Sequence, residues 1–300
     1  MECLPNILHI CNPNKTSGID ALVTCFRLPG YVARCLLLIP FILLGLTSCT
    51  KMVQLKLKSA PGSLVIESVV SNGPEGCYVK ISRSAAFGDL SDFSLIENAQ
   101  VVIKDSTGQL TDTLSIKMNS SGDKVYASRK IRAVCGHVYK LSVSLEGNEY
   151  ESRSQLPDSV SLNGISLLSE AGKLTAESVF TAVPRFNDPK GKGNFYQFMQ
   201  YINGKKDDGI NVISDNIGDG LPNEQPIFTK KLDIHLGDTL TVVMLNISAP
   251  IYQFFYQLMQ NADDFGVTPN NPQSNITGGA LGYFSAQYRQ EFTARIESSD

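Results

Sequence analysis

Cys49 carries the clearest chemistry in this chain. Leu46, Thr47 and Ser48 precede it and close an apolar run, the pattern of a bacterial lipobox, in which the cysteine thiol takes a diacylglycerol thioether and a peptidase cuts just before it. The run from Cys35 to Leu46 is interrupted only by Pro40 and Gly45, with Arg27 and Arg34 upstream. It falls short of the roughly 18 apolar residues that a spanning helix needs. Residues 1–48 therefore read as a signal peptide, with the mature chain starting at Cys49 and held to a membrane there. The stretch before Arg34, which contains Cys3, Cys11 and Cys25, is long for a signal peptide. It is expected to come from an upstream start and to take no part in the fold.

Other residues able to do chemistry are few. Once the leader is removed, only His137 and His235 remain, in different halves of the chain and each inside an alternating pattern. No Gly-x-Ser-x-Gly elbow, His-Glu-x-x-His helix, Cys-x-x-Cys pair, phosphate loop or dinucleotide fingerprint is present. The adjacent acids Asp207-Asp208 and Asp263-Asp264 read as solvated loop surface, because an acid/base couple needs two carboxylates facing one reacting group. Asp215-Asn216-Ile217-Gly218-Asp219-Gly220 looks like a calcium loop at first sight, but an EF-hand needs an oxygen ligand where Ile217 stands and a bidentate Glu where Pro226 stands. The segment reads as an Asp/Gly turn. No catalytic residue, cofactor or metal ligand is assigned.

Charge removes one function class. The chain has 26 Lys plus Arg against 29 Asp plus Glu, a formal net charge of −3. Lys15, Arg27, Arg34, Glu2 and Asp20 leave with the leader, which makes the remainder slightly more acidic. No long basic run offers phosphate contacts, so nucleic acid is not an expected partner. Of seven cysteines, Cys77 and Cys135 are the two beyond Cys49. A disulfide between them and two separate thiols are both compatible with an oxidising periplasm. Trp is absent, which weakens a sugar-platform reading, although 11 Tyr offer aromatic faces.

The elements that position these residues read mainly as β-strands. Cys77, Val79 and Ile81 alternate with polar residues, as do Ala99, Val101 and Ile103 before the turn Asp105-Ser106-Thr107-Gly108, and Tyr139, Leu141, Val143 and Leu145 before Glu146-Gly147-Asn148. Such strands with turns between them predict an immunoglobulin-like β-sandwich over 58–155, after a lipidated tether at 49–57. Tyr139 stands where such a sandwich bonds a tyrosine hydroxyl back to the backbone at a corner. A linker around Gln155-Leu156-Pro157-Asp158 leads to a second β-rich domain over 156–300 with one helix.

In that second half, Phe195, Tyr196, Phe198 and Tyr201 put aromatic groups on both faces of one strand, which ends at Asn203-Gly204. Lys205 to Pro226 reads as loop, and Leu232, Ile234 and Leu236 with Leu240, Val242 and Met244 read as two strands joined at Gly237-Asp238. Ser248 caps the helix. Pro250 sits in its first turn, and Tyr252, Phe255, Tyr256 and Met259 form a stripe that at this spacing is expected to be core.

The lipobox followed by Thr50-Lys51, then Leu64-Val65-Ile66-Glu67, Val79-Lys80-Ile81-Ser82-Arg83-Ser84, Ala99-Gln100-Val101, the Tyr252, Phe254, Phe255, Tyr256 helix and the late run Asn275-Ile276-Thr277-Gly278-Gly279-Ala280-Leu281-Gly282-Tyr283-Phe284-Ser285-Ala286 together resemble the Bacteroidota outer-membrane lipoproteins known as domain of unknown function 4249. The likeness covers nearly the whole mature chain. It implies a lipid-anchored outer-membrane protein, commonly encoded beside a TonB-dependent receptor, with no established activity. Thr50-Lys51-Met52-Val53 lacks the acids that often follow the cysteine in surface-exported relatives, so the periplasmic and cell-surface faces both stay open. Two function classes follow: a non-enzymatic accessory or binding partner of a TonB-dependent receptor in nutrient uptake, whose ligand is unknown, or a lipid-anchored hydrolase with an unrecognised site. A pocket holding His235 beside a carboxylate and a Ser would favour the hydrolase. A loop-lined or aromatic face would favour the partner.

Overall fold

The computed structural model describes residues 62–84, 95–169, 178–216, 218–262 and 271–297. The lipobox Leu46-Thr47-Ser48-Cys49, the signal segment and the tether lie outside the described residues, as do Asp263 and Asp264. Ser59–Asp300 is one compact unit.

The first half folds as alternation requires. Its strands are β1 (Leu64–Ser71), β2 (Cys77–Arg83), β3 (Gln100–Asp105), β4 (Leu110–Thr113), β5 (Ser115–Met118), β6 (Lys124–Ala127), β7 (Val138–Leu145) and β8 (Asn148–Gln155). β7 buries every second side chain, so its apolar set faces one way. The tight turn between β7 and β8 places Glu146 at φ 52° and Gly147 at φ 79°, the left-handed pair that a two-residue hairpin demands. One sheet runs β4-β3-β7-β8, and the opposite wall is β1, β2, β6 and β5. Ile66, Val79 and Ile81 from one wall pack with Val101, Ile103, Leu141 and Val143 from the other. This is the expected sandwich. The Tyr139 hydroxyl donates to Arg132 O at 2.7 Å and accepts from Val134 N at 2.9 Å, so the tyrosine corner is in place. Cys77 and Cys135 are free thiols, and burial, with the Asp112 charge as a lesser cause, pushes the Cys77 thiol up to about 12.

The second half contributes β9 (Gly164–Ser169), β10 (Phe180–Arg185), β11 (Phe195–Ile202), β12 (Lys205–Lys206), β13 (Asn211–Ser214), β14 (Thr239–Ile247), helix α1 (Ala249–Ala262) and the long β15 (Leu281–Arg295). β15 pairs antiparallel with β14 and parallel with β1, so a single sheet in the order β12-β11-β14-β15-β1-β2-β6-β5 passes through both halves, with β13 beside β11. Phe284 and Ala286 at its start belong to the sandwich core, while Phe292 farther on packs in the core of the second half. Leu156, in the expected linker, is fully buried, and its N–H donates to His137 O at 3.0 Å.

β14 is buried on both faces over most of its length, whereas β11, where the aromatic pattern implied burial on both sides, buries one face and half-buries the other. Tyr196, Phe198, Val242 and Met244 pack with Phe180 and Ile234 on one side. Phe195, Met199, Val243 and Leu245 meet α1 on the other. The aromatic stripe of α1 is half-buried rather than core: Tyr252 lies 5.0 Å from Phe195 and Phe255 lies 5.1 Å from Tyr283, centroid to centroid, while the helix residues that are buried are Ile251 and Phe254. Ser248 O accepts from the N–H groups of Ile251 and Tyr252 at the start of the helix.

Two local expectations are corrected. Leu232–Leu236 is not a strand: Ile234 is fully buried and Phe180 N donates to its carbonyl, but it pairs with no ladder. Lys205 to Pro226 is not simply loop: within its described residues β12 and β13 both pair with β11, and the side chains of Asp207 and Asn211 are buried.

Candidate functional site

Two candidate histidines do structural work. His137 Nδ1 lies 2.9 Å from Asp105 Oδ2, and the other oxygen of Asp105 accepts from Thr107 N and Gly108 N, which closes the turn after β3. His235 Nδ1 lies 3.3 Å from Ser178 O, and its backbone N–H donates to Asp238 Oδ2 in the turn before β14. Neither imidazole lines a described cleft.

Asp207 and Asp208 separate by depth. Asp208 is exposed and pairs with Lys231 Nζ at 2.7 Å. Asp207 is 3% exposed and accepts backbone N–H groups from Gly209, Lys230, Lys231 and Leu232 at 2.6 to 3.2 Å. Burial alone would raise this carboxyl, but the N–H groups outweigh it and hold it below its ordinary value. The carboxylate is a clamp on the 207–232 segment.

The site with unspent chemistry is a cleft of about 430 Å³ beside β11 and β13. Phe186, Tyr196 and Ile213 form its apolar wall; Asp188, Ser214 and Asp215 bring polar groups; Leu221, Pro222 and Asn223 close the far side. Asn187 bridges Pro222 across the segment, and Asn223 N donates to Phe186 O, so the two walls are stitched together. A second cleft on the other side of Pro222 and Asn223 includes Leu168 and Arg185. Leu221 at 59% and Leu168 at 51% exposure leave apolar side chains open to solvent on this loop face.

Carboxylates converge here. Asp188, Asp215 and Asp219 each place one oxygen within 4.8 Å of the others. Two unit charges at that separation repel by roughly 3 kcal/mol at an effective dielectric of 20, and among the described residues no Lys or Arg forms an ion pair with any of the three. Backbone donors fix them instead. Gly193 N at 2.6 Å and Asn194 N at 3.0 Å reach Asp215 Oδ2; Gly191 N reaches Asp219 Oδ1 at 2.7 Å; Gly220 N reaches Asp188 Oδ2 at 3.2 Å. The Tyr196 hydroxyl donates to Asp188 Oδ1, and burial together with that carboxylate holds its phenol far above the ordinary range. Gly191 and Gly193 at φ 112° and 114° let the chain turn its N–H groups inward.

Sequence reasoning singled out the Asp215–Gly220 turn and set it aside for lack of EF-hand spacing. The missing partner, Asp188, follows β10 and is remote in sequence, so no contiguous motif could reveal it. The signal available was the Gly191, Gly193, Gly218, Gly220 pattern, which marks two left-handed turns that the fold brings together.

The late Asn-Ile-x-Gly-Gly-x-Leu-Gly-Tyr-Phe-Ser-Ala run is a suture. The Asn275 amide donates to Phe284 O and accepts from Phe284 N, both at 2.9 Å, which mimics a strand neighbour for β15. A Cβ on Gly282 would lie 2.1 Å from Ile66 O, so the parallel pairing with β1 tolerates only glycine there. No curated protein matches the chain. The model of the family described as domain of unknown function (DUF4249) matches residues 50–293, more than half of the chain, so the chain belongs to that family.

Proposed function

We propose that the protein is a Bacteroidota outer-membrane lipoprotein, anchored through Cys49, that works without turnover as the accessory or binding partner of a TonB-dependent receptor in nutrient uptake. The carrying observation is the cleft face, walled by strand and loop residues, with Leu168 of β9 and Leu221 exposed, where no described lining residue offers Ser214 an imidazole. A face with exposed apolar side chains suits contact, and hydrolysis by serine needs a base in hydrogen-bond reach of the hydroxyl. Among the described residues no helix is long and apolar enough to cross a membrane. The lipobox, its small residues and the upstream arginines support attachment through a lipid at Cys49.

Affinity purification of the lipidated chain in mild detergent tests the reading. A large outer-membrane barrel should be recovered with the wild type. Recovery of none, together with ester or glycoside hydrolysis lost on His235→Ala or Asp188→Asn, would assign the protein to the hydrolase class.

A further inference from the structure

We propose that Asp188, Asp215 and Asp219 bind a calcium ion beside the cleft that Asp188 and Asp215 line. Their oxygens lie within 4.8 Å of one another, and calcium–oxygen contacts are about 2.4 Å. An ion centred among three oxygens at that limiting separation would lie about 2.8 Å from each, so a small inward adjustment of the side chains brings all three to coordination distance. The second observation is independent of the clustering: Asp215 is 4% exposed, lines the cleft, and its Oδ1 receives no hydrogen bond. A buried carboxylate oxygen without a donor is costly unless a cation meets it. Asp215 Oδ2, Asp219 Oδ1 and both Asp188 oxygens accept hydrogen bonds from Gly193, Asn194, Gly191, Tyr196 and Gly220, which orient the carboxylates and leave lone pairs of Asp188 for the ion.

The donor set decides the metal. Three carboxylates and no His or Cys select a hard cation over zinc or copper. Ligands supplied by irregular turns suit calcium, which takes six to eight oxygens in loose geometry, better than magnesium, which demands a near-ideal octahedron. The bound ion ties Asp188 to Asp215 and Asp219 and so sets the spacing of the cleft walls that Asp188 and Asp215 line. The inference rests on the carboxylates and stands whether or not the cleft face meets a receptor.

The test uses the full chain in mild detergent, stripped with EGTA and titrated with calcium chloride alone. One calcium per chain should bind, and melting should rise by about 5 °C at saturating calcium, with no rise from magnesium at the same concentration. Asp215→Asn should weaken binding at least tenfold. Asp219→Asn, at an exposed position whose change leaves the fold intact, should do likewise and serves if the buried variant does not fold. Absence of calcium uptake by the stripped wild type, or uptake unchanged in Asp219→Asn, would overturn the site. An equal response to magnesium would overturn the assignment to calcium.

Discussion

Asp207 shows how one side chain can decide the order of a whole segment. Its carboxyl is depressed in the folded state, so its contribution is complete above the ordinary carboxylate range and fades as pH falls through the folded value, below 3.8. Asp207→Ala leaves buried N–H groups of Lys230, Lys231 and Leu232 without an acceptor and should cost about 3 kcal/mol at pH 7, read as a lower urea midpoint at unchanged slope. The gap between wild type and variant should narrow as pH falls below the ordinary carboxylate range. A gap that stays constant down to acid unfolding would show that the charge is not what holds the segment. Tyr139→Phe should cost about 1 to 2 kcal/mol by removing both corner hydrogen bonds, and a melting curve that overlays the wild type would dismiss the corner as a support. Adjacent acids were legible in the sequence only as a pair; that Asp207 turns inward and Asp208 outward depends on N–H groups from residues 230–232, which local sequence cannot reveal.

At the scale of elements, alternation was sufficient for β2, β3, β7 and β11, because each has one or two buried faces that follow the pleat. The helix was legible from its cap and its stripe. Leu232, Ile234 and Leu236 misled for a physical reason: alternating apolar residues also suit an extended segment lying over a core, and here that segment meets the side of β10 without joining a ladder. The parallel pairing of β1 with β15 was not legible, since nothing local couples strands so far apart in sequence. Glycine tests it. Gly282→Ala should abolish stable folding, because its Cβ would collide with backbone at Ile66, whereas Gly279→Ala meets open space and should cost only about 1 to 2 kcal/mol for its positive φ. Similar melting temperatures for the two variants would contradict the close approach.

On the scale of the whole molecule, the reading joins a lipid anchor to a face. Cys49→Ala should move the protein from the membrane to the soluble fraction, and metabolic palmitate should label the wild type alone; identical fractionation of the two would remove the anchor from the account. The face is the opposite case in legibility: the lipobox is contiguous, while the cleft is assembled from Phe186, Asp188, Tyr196, Asp215 and Leu221, which converge only after β11 has paired with β13 and the two Gly-rich turns have met. The most direct measurement is site-specific photo-crosslinking in intact cells, with the crosslinker placed in turn at Leu221 and Leu168 on the cleft face and at Met118, exposed on β5 at the far edge of the large sheet. Crosslinks from Leu221 and Leu168 to a large TonB-dependent barrel, and none from Met118, are the expected result. Crosslinks from Met118 alone, or none from any position in membrane-bound protein, would contradict a receptor partner that docks through the cleft.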